Sequence, residues 1–343
     1  MGFGVRMRDW AWGGTLLRPL VALVLLFAVS ACGANSTLTP TPESSHEWRI
    51  EGPLHRWLPE GGDPVVLFDP QVLTTEGPMR NVIFALVGDD FLERVRERTA
   101  VDLLSLRETA LAFYDDETLL LARGPYSAEE IVTVVGMHMR VIVQQDSEPT
   151  RRSGTYDGRT LFHAAAIGPH EYALSRGEGA VLSRILQRLH AGETPAPDRL
   201  AERDMQRALS GLPSAPLRIA VSTPMRLPLN SPLGLLLSNQ RAMAMAVTEA
   251  EGEQLGLHVA FVGEFPAGAE ANFRQWIEAM AQDDLGRVIG LNRGLSSLDV
   301  IVDSDRVVVS MTISSGDVVR GIRVLFDAEI VDLVNGPTAR DGS

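Results

Sequence analysis

The period of apolar positions along the chain switches repeatedly between two and 3.6 residues, which separates strands from helices. Pro64-Val65-Val66-Leu67-Phe68 predicts a short strand. From Pro78 to Thr99, Val82, Ile83, Leu86, Val87, Phe91, Leu92 and Val95 follow helical spacing, interrupted near Gly88-Asp89-Asp90. Glu108–Tyr114 and Thr118–Arg123 flank Asp115-Asp116-Glu117, a hairpin with an acidic turn. Ser127-Ala128-Glu129-Glu130 opens the next helix as a capping box, with Ile131, Val134 and Val135 on its apolar face. Strands are predicted at Arg140–Gln145, Leu161–Ile167 and Glu171–Ser175, and a helix at Glu178–His190 with Leu182, Ile185, Leu186 and Leu189 on one side.

The second half repeats this order of elements. After a polar helix from Asp198 to Ser210, stopped by Gly211, come a strand at Leu217–Ser222 and a short helix from Ser231-Pro232. A hairpin of Ala242–Thr248 and Leu257–Val262 turns at Glu251-Gly252. Ala269–Ala281 is a helix carrying Phe273, Trp276, Ile277 and Met280 on one face. Leu298–Val302 and Val307–Ile313 form a hairpin about Asp303-Ser304-Asp305, and Asp317 to about Val334 is a last helix. The fold class this predicts is α+β: two similar units of antiparallel sheet backed by helices, residues 47–197 and 198–343. One sheet shared by both halves fits the pattern equally well.

The N-terminal end is patterned differently. Arg6, Arg8 and Arg18 precede 13 apolar or small residues, Pro19 to Ala31, too short to span a bilayer but of signal-peptide length. The run ends in Val29-Ser30-Ala31-Cys32, which resembles the lipobox of bacterial lipoproteins. That resemblance implies a signal peptide over residues 1–31, cleavage before Cys32, and a diacylglycerol on the Cys32 sulfur with an acyl group on its new amine. The membrane is then a partner through the lipid on Cys32. Gly33, not Asp, follows the cysteine, which by the same resemblance points to the outer rather than the inner membrane of a two-membrane envelope. Residues 32–46 are small, polar and proline-containing, and read as a flexible tether.

Composition narrows the chemistry. The chain carries a formal charge of −13, and loss of residues 1–31, with three Arg and one Asp, leaves −15 on the remaining 312 residues. That balance argues against nucleic acid and anionic lipid head groups as partners. Cys32 is the lone cysteine, so no intramolecular disulfide, thiolate metal cluster or second thiol nucleophile is available. All 31 basic residues are Arg, which removes Schiff-base and P-loop lysine chemistry.

Each remaining candidate has a plain alternative. Arg176-Gly177-Glu178-Gly179-Ala180 follows a strand and opens a helix, as a dinucleotide turn does, but its third glycine position is Leu182 and an ordinary glycine turn accounts for it better. Arg140, Arg151, Arg152 and Arg159 form a local basic spot that could hold an anion through bidentate contacts, or serve as solvated strand residues. His163 and His170 with Asp157 or Glu171 could ligate zinc, yet no His-Glu-x-x-His motif accompanies them, and no metal or cofactor is expected. The acidic pairs read as turn residues rather than paired catalytic carboxylates. No Gly-x-Ser-x-Gly elbow is present. The sequence thus predicts a lipid-anchored envelope protein that binds a protein partner or an apolar ligand, or serves structurally. An envelope hydrolase with a dispersed active site is the alternative.

Overall fold

The computed structural model describes residues 50–88, 90, 92–93, 95–96, 101–145, 150–155, 158, 160–193, 203–222, 237, 239–321 and 323. Cys32, the tether, the helix expected at Ser231-Pro232 and most of the expected last helix lie outside them.

The fold is α+β, built on one antiparallel sheet of twelve strands. The first half supplies β1 (Val65–Phe68), β2 (Glu108–Phe113), β3 (Thr118–Arg123), β4 (Arg140–Gln145), β5 (Arg151–Thr155), β6 (Leu161–Ala166) and β7 (Glu171–Arg176). The second supplies β8 (Leu217–Val221), β9 (Gln240–Glu249), β10 (Gln254–Gly263), β11 (Asp299–Val302) and β12 (Arg306–Ser314). Their order is β11-β12-β10-β9-β8-β1-β2-β3-β7-β6-β5-β4. The halves meet where β1 pairs antiparallel with β8, Val65 opposite Ala220 and Phe68 opposite Leu217. Outward from that seam, β1-β2-β3-β7-β6 on one side matches β8-β9-β10-β12-β11 on the other. The repeated order of elements is therefore laid out about the seam within one sheet.

Strand alternation sends successive side chains to opposite faces, and each face has its own core. One face carries Val66, Leu111, Leu120, Tyr172, Ile219, Met243 and Phe261. It is covered by α1 (Pro78–Val87), α2 (Ala128–Met137) and α5 (Ala269–Gln282), through Met79 and Val82, Ile131 and Val135, and Phe273 and Ile277. Met243, with Met245 packed against the same cluster, fills this core. The other face carries Val65, Ala110, Leu119, Leu121, Ala173, Ala220, Ala244 and Ala260. A 3-10 turn at Leu54–Trp57, α3 (Ala180–His190) and α4 (Arg203–Leu209) lie over it. The many alanines there let these short elements approach the strands closely. Two further short helices are α6 (Asp284–Val288) and α7 (Leu291–Gly294). Among the described residues no helix is long and apolar enough to cross a membrane.

Although α1 belongs to the first half, it lies against β9 and β10 of the second. The Glu249 carboxylate at the end of β9 accepts from the Met79 amide in its first turn, and Asn81 donates to Glu253. The two halves thus share both a sheet seam and a helix.

Candidate functional site

A cleft of about 710 Å³ lies over the Ala-rich face, at the end of the sheet where β3 stops and β7 and β8 begin. One wall is the chain entering the body, with Ile50, Gly52, Pro53 and His55; the floor and far wall include Leu67, Arg107, Glu108, Thr109, Arg123, Glu171, Pro216 and Arg218. Strand register explains the floor. Leu67 stands opposite both Ala110 and Arg218, so Arg218 occupies the inward-facing row of Ala220.

Arg123 organises the wall. Its Nη1 donates to Glu108 at 2.9 Å and its Nε to Glu171 at 2.8 Å. Its Nη2 donates to the carbonyls of Gly52 at 3.0 Å and Ile50 at 3.3 Å. Glu108 in turn accepts from the Leu54 amide at 2.8 Å. One guanidinium between two carboxylates therefore pins the entering chain over the sheet, and the cluster of Arg123, Glu108 and Glu171 keeps one net negative charge. Arg218 and Arg107 are different. The buried Nε of Arg218 has no hydrogen-bond partner among the described residues, and neither arginine forms an ion pair there.

The basic spot expected from sequence does not converge. Arg151 and Arg152 are neighbours on β5 and point to opposite faces. Arg152 is buried under α2, where a Cβ on Gly136 would come within 2.7 Å of its Cγ. Arg140 is exposed and pairs with Thr155, four residues along β5 from Arg151, about 13 Å at strand rise. Arg159 lies outside the described residues.

The glycine turn is also explained. Gly177 and Gly179 have φ of +129° and +76°, left-handed conformations that favour glycine. The α3 amides that a phosphate would seek are taken by the protein itself. Glu117, from the acidic turn between β2 and β3, accepts from the amides of Val181 at 3.0 Å and Leu182 at 3.3 Å and from the Ser175 hydroxyl at 2.5 Å. A buried carboxylate thus caps this helix N-terminus.

His163 uses both ring nitrogens: Nε2 meets the Gly177 carbonyl at 2.9 Å and Nδ1 the Ser153 hydroxyl at 2.8 Å. A carbonyl only accepts, so Nε2 carries the proton and Ser153 donates to Nδ1. His170 Nδ1 meets the Tyr126 carbonyl at 3.1 Å. Asp157 lies outside the described residues, and among those described no three His, Cys, Asp or Glu side chains gather around a metal position. A second imidazole, His258, has Ser310 Oγ at 3.0 Å from Nδ1 and Thr248 Oγ1 at 3.2 Å from Nε2. Burial lowers the pKa of both His163 and His258.

Arg218 is not among the residues that the sequence motifs single out. Leu217, Ile219 and Val221 alternate with Arg218 and Ala220, so a charged residue in the row of a buried alanine was its available signal.

No family model matches the chain, and a comparison with curated proteins finds no match. It is similar to the solved structure of TP0453 in crystal form III, with 14% sequence identity and a TM-score of 0.49, over 80% of this chain and 98% of that one.

Proposed function

We propose that this chain is a lipid-anchored protein of a bacterial cell envelope whose folded body binds a ligand or partner without transforming it. The observation that carries the reading is Val29-Ser30-Ala31-Cys32 closing a 13-residue apolar run after three arginines. One acyl chain holds a protein only marginally, at about 0.8 kcal/mol per buried methylene, whereas diacylglycerol plus an N-acyl chain hold it almost permanently. Gly33 after the cysteine favours the outer membrane. The clamped chain entry at Ile50 and Gly52, beside the cleft, supports a body that hangs from its N-terminal end.

Labelling cells with palmitate and fractionating their membranes tests this. The wild-type chain takes up label and sediments with membranes, while Cys32→Ser loses the label and accumulates as uncleaved precursor. Unlabelled wild-type chain, or identical fractionation of the two, refutes the anchor.

A second reading, an envelope hydrolase, rests on the contact between Ser310 and His258. The other nitrogen of that ring meets a threonine hydroxyl rather than a carboxylate, so nothing there stabilises an imidazolium. Burial also lowers its basicity. Fluorophosphonate labelling that Ser310→Ala abolishes would establish the hydrolase reading instead.

A further inference from the structure

The geometry points to the cleft between the entering chain and the sheet as a binding site for an amphipathic oxyanion, a phosphate or carboxylate group carrying an apolar chain. This rests on the binding reading above and names its ligand class. Three observations converge. The cleft, about 710 Å³, lies within the range of small-molecule sites. Its floor holds Arg218, whose buried Nε has no partner among the described residues. A guanidinium that lines the cleft without an ion pair among the described residues is a group that an oxyanion bound there pairs with. Arg107, also lining the cleft and without an ion pair among the described residues, provides a second cation at an exposed position.

The acids nearby do not fill this role. Glu108 and Glu171 are held by Arg123, and Asp69 turns its carboxylate to the Gln71 amide. Ile50, Pro53, Leu67, Phe68 and Pro216 give the cleft an apolar surface that suits a hydrocarbon portion, with His55 and Thr109 as further polar lining. A free inorganic anion would leave that surface unused. The source of the ligand follows from position. Ile50 in the cleft wall is 18 residues past Cys32, so even a fully extended connection places the site within about 60 Å of the anchoring residue. The membrane's own amphiphiles are then the ligands in reach.

The test uses the mature chain, residues 32–343, made without its leader and free of lipid, so that its outcome is independent of the anchor. Titration calorimetry compares decyl phosphate, decanoate and inorganic phosphate, with both amphiphiles kept below micelle formation. Decyl phosphate or decanoate should bind with a dissociation constant below about 1 mM, and inorganic phosphate at least about tenfold more weakly. Arg218→Met should weaken amphiphile binding by roughly ten- to hundredfold, the size of a lost charge-assisted pair. Arg107→Gln, at an exposed position, should weaken it about threefold and serves as the readout if Arg218→Met does not fold. Absence of amphiphile binding, or affinity unchanged in the readable arginine variant, overturns the proposal. Inorganic phosphate binding as tightly as decyl phosphate overturns the amphiphile and leaves a simple anion site.

Discussion

Glu117 offers the sharpest test of how this fold is held. Its carboxylate leaves a surface turn, enters the protein, and satisfies three donors: the Ser175 hydroxyl and the first amides of α3 at Val181 and Leu182. Ser175 is 1% exposed and Leu182 fully buried, so water replaces the carboxylate only in part. Glu117→Ala strands all three donors. Each unsatisfied buried group costs about 1–3 kcal/mol. The two amides sit at a helix start where a water can partly substitute, so the low end applies to them. The expected loss is about 3–5 kcal/mol, well above the ~1 kcal/mol of an ordinary solvent-exposed cap. Glu117→Gln keeps the shape and one acceptor oxygen but turns an amide NH2 toward a backbone N–H, and should lose about 1–2 kcal/mol. Ser175→Ala removes a donor and leaves the carboxylate its two amides, for about 1 kcal/mol. Urea unfolding followed by circular dichroism measures these as shifts in midpoint at constant slope. A loss below about 1 kcal/mol for Glu117→Ala, or equal losses for Ala and Gln, would show that the carboxylate does not support the helix and sheet in this way.

Further outcomes follow from other buried polar groups. Asp317, 1% exposed, accepts from Arg293 at 2.9 and 3.0 Å and from Arg320 at 2.8 Å. Both arginines are more than half exposed and can return to water, so Asp317→Ala should cost only about 1–3 kcal/mol by the same urea assay. His163 and His258 are held below their usual 6.5 by burial. In the window from that value down to their folded pKa values, the unfolded chain binds protons that the folded chain does not. These two residues thus contribute full stability above about pH 6.5 and lose it as pH falls; His163→Gln should flatten the decline in urea midpoint between about pH 8 and 5. The Asp303 carboxyl is lowered by the Ser304 amide and then by Arg207, so its contribution is present above its usual 3.8 and lost only on further acidification. Asp303→Asn should leave the decline near pH 6.5 unchanged and soften the one below about pH 4.

Elements with a strong period were legible in the sequence, and those fixed by their neighbours were not. The Glu108–Arg123 hairpin and the 269–282 helix follow from local alternation alone and stand within a residue or two of expectation. β5 was not anticipated as an element, because Arg-Arg-Ser-Gly-Thr has no apolar alternation; it becomes a strand by pairing with β4 and β6 on either side. Continuity of the sheet was equally closed to pattern reading. The β1–β8 seam joins residues about 150 apart, and nothing in Val-Val-Leu-Phe names its partner. The α3 turn shows the same limit at a site. Its glycines were visible, but the occupant of its amides, Glu117, comes from a hairpin more than 60 residues earlier. Arg218 was readable in principle, since a charge at an inward strand position marks either a paired group or a site.

The central claim, a binding body held on the membrane through Cys32, is most directly tested by mass spectrometry of the N-terminal peptide of the chain purified from membranes. The expected peptide begins at Cys32, carries the mass of a diacylglyceryl group, with or without a third acyl chain, and lacks residues 1–31. An unmodified Cys32, or a peptide in which residues 1–31 are retained, would contradict it.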